Sequence, residues 1–317
     1  MTGTKRMKIG LIDVDGHRWP NLPLMKLSAY HKACGDSVEW YSPMFSGYLD
    51  RVYMSKVFSF TPDYPYFIDA DEVIKGGSGY AIDVEDGKEV FHSGRDHNLP
   101  DEIEHIYPDY SLYTDMTADK AYGFLTRGCP RGCQFCHVAP KEGRKSVKVA
   151  DLSEFWHGQK EIVLLDPNIT ACPDFNFLGG ALIDSGARVD FTQGIDIRTM
   201  TEEKAEIIKR IRVKNIHFAW DRYEDKEKII PKLKMFQEIT GWNKSKMSVY
   251  LLTNYDTTFD QDLERVYTLR DLNYHPDVRI YQKNSLPKHH RLIKMQRWCN
   301  APMIFYSVPR FEDYDRL

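Results

Sequence analysis

The sequence predicts an α/β protein: an N-terminal Rossmann-like βαβ domain followed by a partial (β/α)6 barrel. Two observations carry this. Between residues 8 and 41, an apolar strand, a helix and a second strand follow one another closely, which is a βαβ unit. From residue 121 onward, six strand-like segments alternate with six helix-like ones, the alternation that builds a parallel sheet.

The elements follow in order. Residues 8–15 (KIGLIDVD) are apolar and end in acid, as a buried parallel strand does. Residues 22–34 place Leu24, Leu27, Ala29, Tyr30 and Ala33 at helical spacing, and Gly35 supplies the stop. Residues 37–41 (SVEWY) form the second strand, with short strands expected at 52–58 and 72–74 and a Gly-rich turn at 76–79. Residues 92–117 are polar and contain prolines, so they are expected to be a linker between domains spanning 1–110 and 118–317. Strands are then expected at 121–126, 161–166, 188–192, 215–220, 248–253 and 278–282. Helices are expected at 151–156, 174–185, 201–211, 226–239, 260–272 and 287–299; Thr201 followed by Glu202 and Glu203 is a favourable helix start. Six units fall short of the eight of a closed barrel, so an open one is expected.

Length and composition agree with a globular protein able to bury a sizeable core: 317 residues, 42% hydrophobic and 28% charged. A net charge of −3 gives no global attraction to nucleic acid or anionic membrane. No apolar run approaches the roughly 20 residues that span a bilayer, and the opening residues lack a signal-peptide pattern. A cytoplasmic protein is therefore expected, where thiols stay reduced. Of six cysteines, three fall within eight residues, which suits a metal site better than a disulfide framework.

Those three lie in residues 123–137, GFLTRGCPRGCQFCH. An apolar strand runs into a loop containing Gly128, Pro130 and Gly132, and the thiols of Cys129, Cys133 and Cys136 are spaced C-x3-C-x2-C. Three thiolates on one short loop can hold three irons of a [4Fe–4S] cluster and leave the fourth open for chemistry. Glycines let the backbone wrap closely round such a group. A zinc site made by Cys129, Cys133 and Cys136 with His137 or Cys172 is the alternative, although no second C-x2-C pair exists to complete the usual zinc knuckle.

This spacing, with Phe135 before the third cysteine, resembles the cluster motif of the radical S-adenosylmethionine (SAM) superfamily, and the resemblance extends over roughly residues 118–300. It implies a radical SAM barrel in which the open iron holds SAM. An electron from the cluster then cleaves SAM to a 5′-deoxyadenosyl radical that abstracts hydrogen from a substrate, here unknown. It also implies that Phe135 lies near adenine and that an electron donor such as flavodoxin or ferredoxin is a partner.

The strand ends supply the remaining candidates. Residues 164–172 (LLDPNITAC) place Asp166 and Asn168 where the family holds the SAM amino group, though its Gly-Gly-Glu pattern is absent; an Asp-Pro-Asn turn is the other reading. Residues 193–198 (QGIDIR) resemble a stretch that contacts SAM or substrate in related proteins, which makes Gln193, Asp196 and Arg198 cofactor-binding candidates. Arg198 can pair with a carboxylate of SAM, or with Asp196 as a structural ion pair. Cys172 is a candidate to face the radical, or else a small buried hydrophobe. Residues 220–222 and 253–255, with Tyr281 and Lys283, end later strands and complete the expected rim.

The N-terminal region resembles the cobalamin-binding-like domain that precedes many such barrels. Asp15-Gly16-His17 begins its D-x-H-x-x-G motif, but Pro20 stands in place of the final glycine, fixing φ and removing a donor. Cobalamin, and a cobalamin-dependent methyltransferase with His17 below cobalt, is thus possible but not favoured. Methylthiotransfer is disfavoured because only Cys34 lies N-terminal to the motif. A small-molecule or peptide substrate is expected rather than nucleic acid or membrane, and a zinc-stabilised binding module is the non-enzymatic alternative. The acidic, aromatic tail 311–317 is expected to form a lid or fray.

Overall fold

The computed structural model describes residues 6–85 and 88–315; the last two residues of the tail segment lie outside the described residues. The chain divides into two compact units interleaved in sequence. One comprises residues 1–123, 131–142 and 150–159, the other residues 124–130, 143–149 and 160–317. Each is built on parallel strands, as the alternation predicts.

The first unit holds β1 (Lys8–Asp13), α1 (Leu22–Ala33), β2 (Ser37–Trp40), β3 (Leu49–Ser55) and β4 (Ala70–Gly76), paired in parallel in the order β2-β1-β3-β4. α1 starts where Asn21 accepts the amide of Leu24, and Gly35 at φ +85° lets the chain turn back toward β2. Leu24 and Leu27 of α1 pack with Ile9, Leu11 and Tyr53 on one sheet face. On the opposite face, Ile12, Leu49, Val52 and Met54 are covered by Tyr41, Tyr64 and Ile68, which come from loops, not helices. A hairpin of β5 (Ile82–Glu85) and β6 (Lys88–Phe91) follows.

Residues 92–117 are not a linker. Tyr113 donates its hydroxyl to Asp13 at 2.7 Å, and Asp109 accepts from Ser28 and Lys32 of α1 at 2.6 and 2.5 Å. Ile103 enters the core beside Leu24 and Leu27. A few anchoring side chains thus tie a polar segment to α1 and to the end of β1. The expected strand at 121–126 is also corrected: β7 (Lys120–Gly123) ends early, and β8 (Thr126–Arg127) pairs antiparallel with β9 (Val147–Lys148). Gly123 is required at the break, since a Cβ there would lie 2.4 Å from the Phe155 ring. The helix expected at 151–156 is a single turn, Leu152–Glu154, closed by a capping box between Asp151 and Glu154.

In the second unit β10 (Glu161–Leu164), β11 (Arg188–Ile195), β12 (Val213–Ala219), β13 (Met247–Thr253) and β14 (His275–Ile280) pair in parallel in that order. Between and after them run α2 (Phe175–Ser185), α3 (Glu202–Arg210), α4 (Lys226–Thr240), α5 (Phe259–Asp271) and α6 (Arg291–Cys299). Thr201 caps α3 by accepting the Lys204 amide, and Thr258 with Gln261 forms a capping box on α5. Val189, Phe191, Ile216, Phe218, Val249, Leu251 and Val278 are buried along alternate strand positions, with Ile208, Leu233, Phe236 and Leu269 of the helices. Phe218 meets Phe236 edge-on, ring centroids 5.0 Å apart. Each such buried side chain contributes about 1.5–3 kcal/mol. The tail is neither a lid nor frayed over its described part. Phe311–Asp315 is a short helix whose fully buried Phe311 packs on Phe259 and Trp298. No helix of the described residues is long and apolar enough to cross a membrane.

Candidate functional site

The cysteine loop has the backbone its glycines predict. Gly128 and Gly132 take φ values of +86° and +56°, a region that strongly favours glycine. The unit division passes between Pro130 and Arg131, so Cys129 groups with the second unit and Cys133, Phe135 and Cys136 with the first. All three cysteines and Phe135 are partly exposed.

Within the second unit, the Cys129 amide donates to the Gly143 carbonyl at 3.1 Å, and the Asn168 side-chain amide donates to Cys129 Sγ at 3.5 Å. Asn168 is buried, and its carbonyl accepts from Ser146 Oγ at 2.9 Å. Within the first unit, Cys136 N donates to the Cys133 carbonyl at 3.0 Å, closing a turn between two of the thiols. The helix that follows, Val138–Glu142, is tied down where Lys141 Nζ donates to Ser78 Oγ at 2.5 Å.

Asp166, buried at 6% exposure, is turned toward the start of the cysteine segment. Its carboxylate accepts the Leu125 amide at 3.1 Å and the Thr126 amide and hydroxyl at 2.5 and 2.7 Å. Burial pushes its pKa up to about 6 against the lowering pull of those hydrogen bonds. Through these bonds Asp166 shapes the strand end.

Arg198 shows the structural ion pair. Its Nε donates to Asp196 Oδ1 at 2.6 Å, a second nitrogen meets Asp225, and Asp196 also accepts the Arg198 amide at 3.1 Å. The neighbouring carboxylates hold the guanidinium pKa above its ordinary value against the opposing effect of burial. Gln193 is exposed, on a stretch where β11 is irregular between Phe191 and Gly194, and the strand runs on to Ile195, beyond its expected end. Cys172 is 2% exposed, and burial pushes its thiol up, so it stays protonated. In the first unit, the exposed His17 adopts φ +58° and sets its ring edge-on against Trp40, centroids 4.2 Å apart.

Later strand ends are held by a residue the sequence reasoning missed. Arg265 of α5, fully buried, donates to the carbonyls of Trp220 at 2.6 Å and Leu252 at 2.7 Å, and pairs with Asp262 at 2.5 Å. It thereby fixes the ends of β12 and β13. The available signal was Asp262 and Arg265 one helical turn apart on an otherwise apolar face. Trp220 and Thr253 are buried, while Tyr255 and Tyr281 meet edge-on at 5.0 Å; Lys283 is exposed.

The second unit's sheet also carries polar residues on one face, whereas parallel sheets are ordinarily apolar on both. His217 Nδ1 lies 2.5 Å from Ser248 Oγ, and its ring stacks on Tyr250 at 5.0 Å and 12°. The Arg279 guanidinium lies 4.8 Å over the same Tyr250 ring. Gly194 leaves room for this ring, since a Cβ there would lie 3.2 Å from it.

No family model matches the chain, and no curated protein matches it. Among solved structures it is similar to the crystal structure of Streptococcus suis SuiB bound to S-adenosylmethionine, at 12% identity and a TM-score of 0.41. The similarity covers 68% of this chain and 53% of that one, so the chain spans about half that protein's length.

Proposed function

We propose that the chain is a radical SAM enzyme, initiating hydrogen abstraction from a substrate yet to be identified. One observation carries the reading: three partly exposed thiols at C-x3-C-x2-C spacing on a loop whose glycines adopt positive φ. The donor set fits a [4Fe–4S] cluster, because three thiolates leave one iron open. Cys129, Cys133 and Cys136 would hold it. When bound, the cluster supplies the electron that cleaves SAM to methionine and a 5′-deoxyadenosyl radical.

The chain's own residues do the positioning. Asp166 fixes the backbone entering the loop, and Asn168 directs an N–H at Cys129 Sγ. Such a hydrogen bond withdraws charge from a thiolate and tunes the group it ligates. Arg198 braces the turn after β11 through Asp196 and Asp225, so that Gln193 remains the exposed polar side chain of that stretch.

Metal analysis of the anaerobically reconstituted full chain tests the reading. About four irons and four sulfides per chain, lost when Cys129, Cys133 and Cys136 are changed to Ala, are expected. About one zinc per chain without iron overturns it in favour of a zinc-stabilised module.

A further inference from the structure

The first unit has an exposed apolar surface on segments other than the cysteine loop. A doubly wound domain covers both sheet faces with helices, but here one face is covered by the loops 41–48 and 56–69. These loops turn Tyr41 and Tyr64 inward and leave large apolar side chains outside. Phe45 is 87% exposed, Met44 85%, Phe67 83% and Phe60 75%, with Tyr66 and Tyr48 also exposed. The two loops are joined, because Tyr41 Oη donates to the Phe67 carbonyl at 3.2 Å and accepts the Asp69 amide at 3.1 Å. Tyr64 and Tyr66 continue the aromatic run, ring centroids 5.5 Å apart. Scattered exposed hydrophobes are ordinary, but six large ones concentrated on two joined loops mark an interaction site.

The rim of this surface is acidic. Between residues 36 and 72 there are seven acidic residues, of which Asp63 is bound to Lys75 at 2.8 Å and Asp36 to His31 at 2.7 Å; the basic residues within the span are two, Arg51 and Lys56. Of those two, Lys56 is buried and Arg51 is turned to Glu72 at 2.6 Å. Tyr48 donates to Asp71, and Asp69 and Asp50 lie close enough to act on the same hydroxyl, holding it above its ordinary range after the larger effect of the Asp71 hydrogen bond. Three carboxylates therefore gather at an exposed ring. This charge repels an anionic lipid surface, and it repels the same face of a second copy.

We propose that this aromatic, acid-rimmed face docks a basic segment of a partner polypeptide, in which Lys or Arg alternates with apolar residues. The apolar residues bury Phe45 and Phe67, while the cations pair with Asp69 and Asp71 and lie on the tyrosine faces. The proposal does not rest on the cluster.

Fluorescence anisotropy with the full chain and a labelled peptide of alternating Lys and Leu tests it, with a matching Glu and Leu peptide as control. Saturable binding of the basic peptide alone, weakened by rising salt, is expected. Phe45→Ser with Phe67→Ser, and separately Asp69→Asn with Asp71→Asn, should each weaken it about tenfold at unchanged melting temperature. The second pair keeps side-chain shape, so it tests the surface even if the first disturbs folding. Equal binding of the acidic peptide, no saturable binding, or binding indifferent to both pairs overturns the proposal. So does dimerisation, or uptake on phosphatidylserine vesicles, that is abolished by the same substitutions.

Discussion

The Asp166 carboxylate accepts both the amide and the hydroxyl of Thr126, at 2.5 and 2.7 Å. A residue at the end of β10 thereby sets the backbone three residues before Cys129. Asp166→Ala leaves those donors and the Leu125 amide without an acceptor in a buried place. We expect a loss of about 2–4 kcal/mol in chemical denaturation.

The same residue gives a pH dependence. Its pKa is raised from 3.8 to about 6 in the folded protein, so folding favours the protonated form. The associated stability is fully present below 3.8 and is lost as pH rises through about 6. On this account the wild type loses on the order of 3 kcal/mol from this group between about pH 4 and 6. Asp166→Asn should flatten that part of the stability–pH curve. An unchanged slope would show that Asp166 does not titrate in that window.

Arg198 sits between Asp196 and Asp225 with little exposure. Arg198→Met strands two carboxylates and should cost about 3 kcal/mol. Arg198→Lys restores charge without the planar fork and should recover only part. If Arg198 instead holds a SAM carboxylate, the Met variant will weaken SAM binding with little change in melting temperature.

Asn168 directs its side-chain amide at Cys129 Sγ. Asn168→Ala removes the donor, so the reconstituted cluster should move to a lower reduction potential while keeping its iron. Redox titration followed by electron paramagnetic resonance reads this, and an unmoved potential would contradict the assignment.

Cys172 is sealed from solvent with its thiol held protonated. Cys172→Ala should lower stability by about 1–2 kcal/mol without changing SAM cleavage by the reconstituted protein. Loss of cleavage at full iron content would make it a participant in the chemistry.

Much of this was legible in the sequence where causes are local. Gly35, Thr201 and the alternating apolar segments mark helix stops, starts and strands through nearest neighbours, and they appear where expected. The Asp196–Arg198 pair was also visible, being two residues apart. What was hidden depends on distant partners. The strand ends at Gly123 because Phe155 leaves no room for a side chain and Asp166, about forty residues on, draws in the next amides. Residues 92–117 look like a linker because their anchors, Tyr113 and Asp109, pair with Asp13, Ser28 and Lys32 far earlier in the chain. Arg265 looks like a surface base until the strand-end carbonyls of Trp220 and Leu252 surround it.

The central claim is that thiols at 129, 133 and 136 support reductive cleavage of SAM. The most direct measurement is 5′-deoxyadenosine release from the full chain after anaerobic reconstitution, with dithionite and SAM. The account predicts release by the wild type, falling to the protein-free level when Cys129, Cys133 or Cys136 is changed to Ala. Iron-loaded wild type that releases none, or variants that release as much as the wild type, would contradict it.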